Sequence, residues 1–333
     1  MKAMVVGSPA TLDTLQLADR PDPGQPAPGE IRVALHGSSL NFHDLGVVNS
    51  GASAAAGRIA LADGGGIVEA VGDGVTEFAA GDAVISCFYP DWQDGAPNCV
   101  LARVPGDGID GYATEYAVAP ATAFTHAPRG YDAVEAATIT TAGLTAWRAL
   151  IVDGGTKPGD SILLLGTGGV SIWALQIAKA MGVTVIVTSS SDEKLDRARQ
   201  LGADHIINYR EVPEWGRAVR DRSGGGVDLV LELGGAGTLT NSMGAVRPGG
   251  HIALIGTVSG VAGSISTVAL VGKQAKIQGL MVGSRRHQQE LVRAINAIGI
   301  RPVIDRRFAL SELADAFRYQ LSGSHFGKIG IAW

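Results

Sequence analysis

The chain has 333 residues with a formal net charge of −5, and 46% of its residues are hydrophobic. This length fits two domains of ordinary size, and the composition excludes an intrinsically disordered protein. The acidic balance without a Lys- or Arg-rich run argues against nucleic-acid binding, and no apolar run reaches the roughly 18 residues that span a bilayer.

Up to about residue 125, the sequence shows short strand patterns separated by turns. Strands are predicted at residues 30–35, 66–71, 83–87 and 113–118. The Pro- and Gly-rich stretch 21–29 predicts a loop. Because long helical patterns are scarce here, this region is predicted to be all-β and barrel-like.

From residue 161 onward, apolar strand patterns alternate with helical ones. Strands are predicted at 161–166, 183–188, 205–208, 228–233, 250–256 and 276–282, with helices at 170–181, 192–201, 213–223, 239–246 and 288–298. This alternation is typical of a parallel sheet covered by helices on both faces. The tail, with a helix at 311–321 and a strand at 327–332, is expected to return to the first domain. The predicted domains are therefore residues 1–125 with 301–333, and residues 126–300.

A glycine turn joins the first of these strands to the first helix. Gly166 permits a tight turn, Gly168 lets the backbone approach a pyrophosphate, and the helix start at Gly169 and Val170 supplies N–H groups for phosphates. Ser171 stands where the fingerprint prefers Gly or Ala, which predicts looser helix–strand packing. Because the glycines lie in a strand–turn–helix context, the sequence predicts a dinucleotide site rather than a merely structural turn.

The end of the second strand bears on the choice between NAD and NADP. An NAD site usually carries an acidic residue there, which holds the ribose hydroxyls. This chain has Ser189, Ser190 and Ser191 instead, and Lys194 follows on the next helix. Hydroxyls and a cation favour NADPH, with NADH as the alternative. In the other interpretation, Ser191 or Asp192 simply caps the helix and Lys194 is a solvated surface residue.

Further motifs resemble those of one protein superfamily. In chain order they include Asn41-Phe42-His43-Asp44, Asp63-Gly64-Gly65-Gly66, Gly81-Asp82, Ala142-Gly143-Leu144-Thr145, Leu201-Gly202-Ala203-Asp204 and Gly327-Lys328. With the glycine turn, they resemble the medium-chain dehydrogenase/reductase superfamily, and most of all its zinc-lacking, quinone-oxidoreductase-like branch. The resemblance covers nearly the whole chain. It implies an α/β protein with a GroES-like β-barrel catalytic domain, a doubly wound Rossmann domain and a cofactor cleft between them. It also implies a homodimer or homotetramer.

The same resemblance bears on the metal. Zinc-dependent members hold a catalytic zinc with a Cys, a His and a Cys, and these positions correspond here to Asn41, Asp63 and Thr141. Asn and Thr are poor zinc ligands. The only cysteines, Cys87 and Cys99, are too few for the four-cysteine lobe of a structural zinc, and we expect ordinary thiols, buried or half-buried. No zinc is therefore expected.

Without a metal, hydrogen-bond donors must hold the negative charge that hydride transfer develops on oxygen. The catalytic candidates are Asn41, His43 and Asp44, on a predicted loop. In relatives, the residue at the position of Asn41 lies near the nicotinamide, and His43 stands where zinc-dependent members place a proton-relay hydroxyl. In the other interpretation, His43 bonds the cofactor or faces solvent, and Asp44 fixes the loop. The small, alanine-rich stretch 49–60 predicts a wider or mobile substrate pocket.

Other cofactor contacts are implied by the resemblance and by positions at strand ends. Thr141 and Thr145 are expected at the start of a helix facing the cleft, and Tyr209 beside the adenine or its phosphate. The remaining candidates are Gly234 after the fourth strand, Gly256 and Val258 after the fifth, and Phe326 and Lys328 in the tail. Alternatively, Lys328 is a charge on a surface strand.

The sequence thus predicts a cytoplasmic, zinc-independent, NADPH-dependent oxidoreductase that transfers a hydride to a small conjugated enone, quinone or carbonyl. The runner-up is a zinc-independent alcohol dehydrogenase or ketone reductase, which the glycine motifs do not distinguish from the first. A third possibility is a protein that binds the cofactor without turnover, which the intact set of cleft residues disfavours. The natural substrate stays open.

Overall fold

A computed structural model describes residues 1–52, 55–97 and 103–333. The chain divides into two compact units, Met1–Leu144 with Val282–Trp333, and Thr145–Met281. Residues 126–144 and 282–300 therefore lie in the first unit, whereas the sequence prediction grouped them with the nucleotide-binding domain. The tail, residues 301–333, also belongs to the first unit.

The first unit is built mainly of antiparallel strands around one central strand. Its strands are β1 (Lys2–Val5), β2 (Gln16–Asp19), β3 (Glu30–Ser39), β4 (Gly65–Val71), β5 (Ala83–Ser86), β6 (Tyr116–Pro120), β7 (Phe124–His126), β14 (Ile304–Ala309) and β15 (Lys328–Ala332). The central strand β3 pairs antiparallel with β4, β6 and β15. The path of neighbouring strands runs β14-β15-β3-β4-β5-β7, in the GroES-like arrangement that the sequence predicts.

Short and long helices pack on these strands. The helices of the first unit are α1 (Phe42–Val48), α2 (Ala133–Ala137), α9 (Arg285–Ile298) and α10 (Leu313–Leu321). The α2 backbone approaches β4 so closely that a Cβ on Gly65 would stand 2.2 Å from the carbonyl oxygen of Ala133. In α9, the side chain of Gln288 donates to the Ser86 carbonyl at 3.0 Å. These contacts assign both helices to the first unit.

The second unit is a doubly wound parallel sheet. Its strands are β8 (Ser161–Leu165), β9 (Thr184–Ser189), β10 (His205–Asn208), β11 (Val227–Glu232), β12 (Val246–Leu254) and β13 (Lys276–Gly279). Its helices after β8 are α4 (Gly169–Ala180), α5 (Asp192–Gln200), α6 (Trp215–Arg222), α7 (Leu239–Ala245) and α8 (Thr267–Lys273). The strand order is β10-β9-β8-β11-β12-β13. From β8 the chain adds strands toward one side of the sheet, and from β11 it adds them toward the other side, so the order of strands reverses between β8 and β11. In such sheets, ligands bind at the carboxyl ends of the strands beside this reversal.

The segment before the sheet, residues 139–152, is a mixed helix. Two π-helical stretches, Ile139–Gly143 and Arg148–Val152, flank a short α-helix, α3 (Leu144–Trp147). Thr141 therefore lies within a π-helical turn, and not at the start of a regular helix as predicted. The wider turn is a local feature that side-chain periodicity does not reveal. No helix in the described ranges is both long and apolar enough to cross a membrane.

Candidate active site

In the first unit, the chain leaves β3 and starts α1 at Asn41. Asn41 has extended backbone angles and is the N-cap of α1, so the predicted loop at 41–44 is in fact the beginning of a helix. The Asp44 carboxylate, in the first turn, accepts a hydrogen bond from the Asn41 backbone N–H at 2.9 Å. It also accepts from the Asn41 side-chain amide at 3.1 Å and from the Ala62 backbone N–H at 3.0 Å. An Asn at the N-cap with an Asp three residues later fixes this turn.

Asp63 is the second carboxylate beside Asn41, and its side chain is completely buried. Its Oδ1 accepts from the Thr141 hydroxyl at 2.6 Å. Its Oδ2 accepts from the Ser39 hydroxyl and from the Asn41 side-chain amide, the latter at 3.0 Å. Both carboxylate oxygens are therefore already hydrogen-bonded within the first unit.

Lys328, the first residue of β15, completes this group, which we call the polar centre (Asn41, Asp44, Asp63, Thr141 and Lys328). Only 3% of Lys328 is exposed, so the alternative prediction of a surface charge is wrong. The ammonium donates to the Leu40 carbonyl and to Asn41 Oδ1, both at 2.6 Å, and lies 3.6 Å from Asp63 Oδ2. Sequence reasoning did not anticipate these contacts, because they join residues from opposite ends of the chain.

Burial shifts the pKa values of two members of the polar centre. Burial, followed by repulsion from Asp63, raises the pKa of Asp44. Burial lowers the pKa of the Lys328 ammonium, while Asp63 and Asp44 act in the opposite direction. Burial thus favours the neutral forms of both groups, and the ion pair of Lys328 with Asp63 acts against this effect at Lys328.

The polar centre does not fit a zinc ion. Asn41 Oδ1 is already bonded to an ammonium, the Asp63 oxygens are already acceptors, and Thr141 offers only a hydroxyl. Structural and catalytic zinc sites use thiolate, imidazole and carboxylate ligands. Among the described residues, no group of three or more His, Cys, Asp or Glu side chains is placed to hold a metal ion.

His43 lies on a different face of α1 from Asp44. Its Nε2 is 3.4 Å from Asp107 Oδ2, and a quarter of its side chain is exposed. Its ring meets the edge of Phe88 with centroids 5.1 Å apart. Within the described part of the chain, its buried Nδ1 has no hydrogen-bond partner. The imidazole is therefore oriented by one carboxylate and has one nitrogen left over.

A cavity of about 410 Å³ opens beside His43. It is lined by His43, Gly46, Val47, Ser50, Ala52, Ala55, Arg58 and Asp107. Several of these residues belong to the alanine-rich stretch 49–60, for which the sequence predicts a wider or mobile pocket. Because several of the lining side chains are small, they leave this volume unfilled. Arg58 and Asp107 add charged groups to its lining.

In the second unit, the predicted glycine turn lies between β8 and α4. Gly166 has a φ of +72°, which favours glycine. Gly168 is the N-cap of α4, and a Cβ on it would meet no atom within 4 Å. The protein itself therefore does not require a glycine at 168, whereas close approach of a ligand to the backbone would. Ser171 is fully buried and donates to the Leu165 carbonyl at 2.8 Å, so the predicted looser packing is not observed.

Hydroxyl side chains follow β9. Ser189 is buried, Ser190 is half-buried, and Ser191 is the N-cap of α5, where its hydroxyl accepts from the Lys194 backbone N–H. The capping interpretation of Ser191 is thus confirmed. Asp192 instead accepts from the side chain of Asn208 at 2.8 Å.

Other predicted cofactor residues also lie at the carboxyl ends of the parallel strands. Tyr209 follows β10 with 42% of its surface exposed, Gly234 follows β11, and Gly256 and Val258 follow β12. Thr145 is buried in α3 of the second unit. In the first unit, Phe326 is buried and Thr141 is part of the polar centre. The second-unit candidates, apart from Thr145, therefore lie together at the carboxyl ends of the parallel strands.

Sequence reasoning missed one carboxylate at the carboxyl ends of the parallel strands. Glu232, the last residue of β11, is fully buried and accepts hydrogen bonds from the backbone N–H groups of Gly234 and Gly235 at 2.8 and 3.0 Å. The Thr238 and Ser242 hydroxyls also donate to it. Glu232 therefore fixes the turn that carries Gly234. The signal was an acidic residue at the end of an apolar strand, separated by Leu233 alone from two consecutive glycines.

Two family models match the chain. The model described as alcohol dehydrogenase GroES-like domain matches residues 27–129, and the one described as zinc-binding dehydrogenase matches residues 169–297. A zinc-type alcohol dehydrogenase-like protein of Schizosaccharomyces pombe is 39% identical over 91% of this chain and 90% of its own length. The chain belongs to the medium-chain dehydrogenase/reductase superfamily. It is an NAD(P)-dependent oxidoreductase of that superfamily.

Two further similar proteins carry names that specify a cofactor or a reaction. The crystal structure of an NAD-dependent alcohol dehydrogenase has a TM-score of 0.91 and 32% identity, with full coverage of both chains. A 2-haloacrylate reductase of a Burkholderia species is 31% identical over 76% of this chain and 73% of its own length. Proteins named as an alcohol dehydrogenase and as a 2-haloacrylate reductase are therefore similar to this chain at nearly the same sequence identity.

Proposed function

We propose that the protein reduces a small conjugated enone or quinone with NADPH and without zinc. The observation that carries this proposal is the polar centre, in which an ammonium and hydrogen bonds engage the atoms that would have to bind a metal. Reduction of an isolated carbonyl places negative charge on one oxygen, which a metal stabilises best. A conjugated acceptor spreads this charge, and hydrogen-bond donors can stabilise it.

The second unit fits the dinucleotide. The free N–H groups at the start of α4 and the turn at Gly166 and Gly168 suit a pyrophosphate. Ser189, Ser190 and Lys194, without a carboxylate at the end of β9, favour the 2′-phosphate of NADPH over NADH. The rest of the dinucleotide would lie along Tyr209, Gly234, Gly256 and Val258. When bound, NADPH supplies the hydride.

The first unit would provide the proton and hold the substrate. We assign the proton-donor role to His43, because its Nδ1 is unpaired and Asp107 orients its Nε2. Once a hydride adds to the β-carbon of an enone, the enolate takes one proton, which His43 gives and regains from solvent through the cavity. Asn41 and Asp44 act as positioning residues, because their side-chain polar atoms already have partners within the polar centre.

The alternative function is zinc-independent alcohol oxidation or ketone reduction. The names of the similar alcohol dehydrogenases favour it, and the same hydride geometry would serve both reactions. The relative named 2-haloacrylate reductase favours the conjugated acceptor. The two functions differ in whether a C=C bond is reduced.

We also propose a cytoplasmic homodimer or homotetramer formed at the edge of the parallel sheet. Strand β13 is the last strand of that sheet, and its other edge has no partner among the described residues. Two valines of α8, the helix that precedes β13, are exposed, with Val268 at 81% and Val271 at 75%. Apolar residues so exposed beside an unpaired strand suit a second copy of the chain. Light scattering would show a dimer or larger species for the wild type and a smaller one for Val268→Lys.

The activity test uses the purified protein, NADPH or NADH, and a panel of a quinone, an enone, an aldehyde, a ketone and an alcohol. We expect NADPH oxidation with the enone or quinone, and a product that has lost its C=C bond. Metal analysis on the same sample would find no stoichiometric zinc. Turnover confined to ketones and alcohols would favour the alternative. Stoichiometric zinc, with activity lost to a chelator, would contradict the metal-free mechanism.

A further inference from the structure

We infer that the ammonium of Lys328 is the built-in cation of the polar centre, standing in for the metal ion of zinc-dependent relatives and excluding metal ions from that position. The ammonium and all its partners lie in the first unit. Their arrangement is the same whichever substrate is reduced and whichever nicotinamide is used.

The Lys328 ammonium is buried among hydrogen-bond acceptors. Lys328 is 3% exposed, and its Nζ donates to the Leu40 carbonyl and Asn41 Oδ1 at 2.6 Å each. Asp63 Oδ2 lies 3.6 Å away. A buried ammonium is tolerated only when acceptors and a counter-charge surround it. Lys328 meets both conditions, so its charge is an integral part of the centre.

A metal ion at this position would need the side-chain oxygens of Asn41 and Asp63. Of the Asn41 side chain, only Oδ1 can bind a metal, and it is the atom that accepts from Lys328. Asp63 offers two oxygens, which accept from Thr141 on one side and from Ser39 and Asn41 on the other. A metal ion would have to displace these donors and lie beside an ammonium of like charge.

The Lys328 ammonium also balances negative charge in the polar centre. Asp44 and Asp63 bring two carboxylates into the centre, and both act on Lys328. His43 is the other titratable group that acts on Asp44. Without Lys328, two buried carboxylates would share a site with no cation inside it. The ammonium therefore does for Asp63 what a divalent ion does for carboxylate ligands, namely neutralise buried negative charge.

The Lys328 ammonium also orients the side-chain amide of Asn41. The amide of Asn41 accepts from Lys328 through Oδ1 and donates through Nδ2 to Asp44 and Asp63. The ammonium thus determines which way the amide faces, and through it the start of α1. Lys328 is a positioning residue in this sense, because it acts on the site through Asn41.

The first experiment is equilibrium dialysis of the wild-type protein against zinc sulfate, followed by metal analysis of the protein. We expect no stoichiometric zinc in the wild type. One zinc per chain that is lost in Asp63→Asn would overturn the inference. This measurement needs no variant that folds poorly and no activity assay, so it remains decisive if the proposed reaction is wrong.

The second experiment is a double-mutant cycle on thermal unfolding with Lys328→Met, Asp63→Asn and the combination. We expect Lys328→Met to lower the unfolding midpoint by on the order of 10 °C, because it leaves buried charge unpaired. The unfolding midpoint of the double variant should fall by clearly less than the sum of the decreases in the two single variants. Additive losses would mean that Lys328 contributes its aliphatic stem alone and would refute its role as the cation.

Matched controls separate this effect from the loss of any lysine. Lys157 also pairs with an aspartate, Asp160, at 2.7 Å, but 73% of its side chain is exposed. Lys157→Met should change the midpoint by no more than roughly 2 °C. Lys328→Arg keeps the charge and should recover part of the stability that Lys328→Met loses. No recovery, together with additive losses in the cycle, would count against the inference.

Discussion

The polar centre of the first unit and the glycine turn of the second unit differ in how far the chain satisfies its own polar groups. In the polar centre, the side-chain atoms of Asn41 and Asp63 already have hydrogen-bond partners. At the glycine turn, no side chain caps α4, and a Cβ on Gly168 would meet only open space. A closed network stabilises the fold, whereas an open helix start is prepared for a ligand.

This difference predicts that substitutions in the polar centre act on stability, and substitutions at the turn act on cofactor affinity. A polar-centre substitution that changes only cofactor affinity, or a substitution at the turn that changes only stability, would contradict this difference.

The largest effect is expected for Asp44→Ala. Three N–H donors, one each from the Asn41 backbone, the Asn41 side chain and the Ala62 backbone, would lose their buried acceptor. We expect the free energy of unfolding to fall by roughly 3–5 kcal/mol, measured by urea denaturation. Asp221→Ala, at a side chain that is 66% exposed, should cost no more than about 0.5 kcal/mol. Equal decreases in the free energy of unfolding of Asp44→Ala and Asp221→Ala would show that the hydrogen bonds of the polar centre do not stabilise the fold.

Gly168→Ala tests whether the glycine turn contacts the cofactor. The added methyl group meets nothing in the protein but would stand in the path of a pyrophosphate. We expect the Kd for NADPH, from fluorescence titration, to rise roughly 10- to 100-fold while the free energy of unfolding changes by less than about 1 kcal/mol. Gly272→Ala, where a Cβ also has open space, is the control and should leave the Kd unchanged. An unchanged Kd in Gly168→Ala would remove the turn from the cofactor site.

Ser190→Asp sharpens the cofactor assignment. A carboxylate at the end of β9 would repel a 2′-phosphate and hold ribose hydroxyls. We expect the ratio of kcat/KM for NADPH over NADH to fall by about tenfold or more. Ser191→Asp is the matched control, because Asp is also a good N-cap for α5 and adds the same charge one residue further on. An equal fall in both variants would attribute the effect to net charge rather than to position 190.

The smallest effect is expected for His251→Gln in the second unit. Burial, followed by repulsion from Lys276, lowers the pKa of His251, which lacks a hydrogen-bond partner for its buried Nε2 in the described ranges. A lowered pKa means that the stability is full above the unfolded-state value of about 6.5 and is lost as the pH falls through the folded-state value. Between pH 7 and pH 5, the wild type should lose up to about 1 kcal/mol more than His251→Gln. Parallel pH profiles would refute this role.

The nucleotide-binding unit was predictable because its signals are local. Its strand and helix pattern, the turn at Gly166 and Gly168, and the serines after β9 all lie within short stretches of sequence. Each of them reflects a backbone or capping requirement that neighbouring residues impose. The N-cap pattern of Asn41 and Asp44 was equally local, and it would have shown that α1 begins where a loop was predicted.

The polar centre was not predictable as a network. Lys328 and Asn41 are 287 positions apart, and Thr141 and Asp63 are 78 positions apart. The sequence left Lys328 either near the cofactor or on the surface, because a strand pattern does not state which face of β15 is buried. Likewise, the packing of α2 and α9 on β3–β7, which places them in the first unit, depends on contacts between distant segments.

The class of fold and the glycine turn between β8 and α4 could be inferred from sequence patterns alone, and the resemblance placed Asn41, Asp63 and Thr141 at the positions of the usual zinc ligands. The burial of Lys328, its hydrogen bond to Asn41 and the hydrogen bonds to both oxygens of Asp63 became known only from the tertiary structure. Backbone preferences act between neighbouring residues, whereas a buried charge is stable only where the whole fold brings its partners around it.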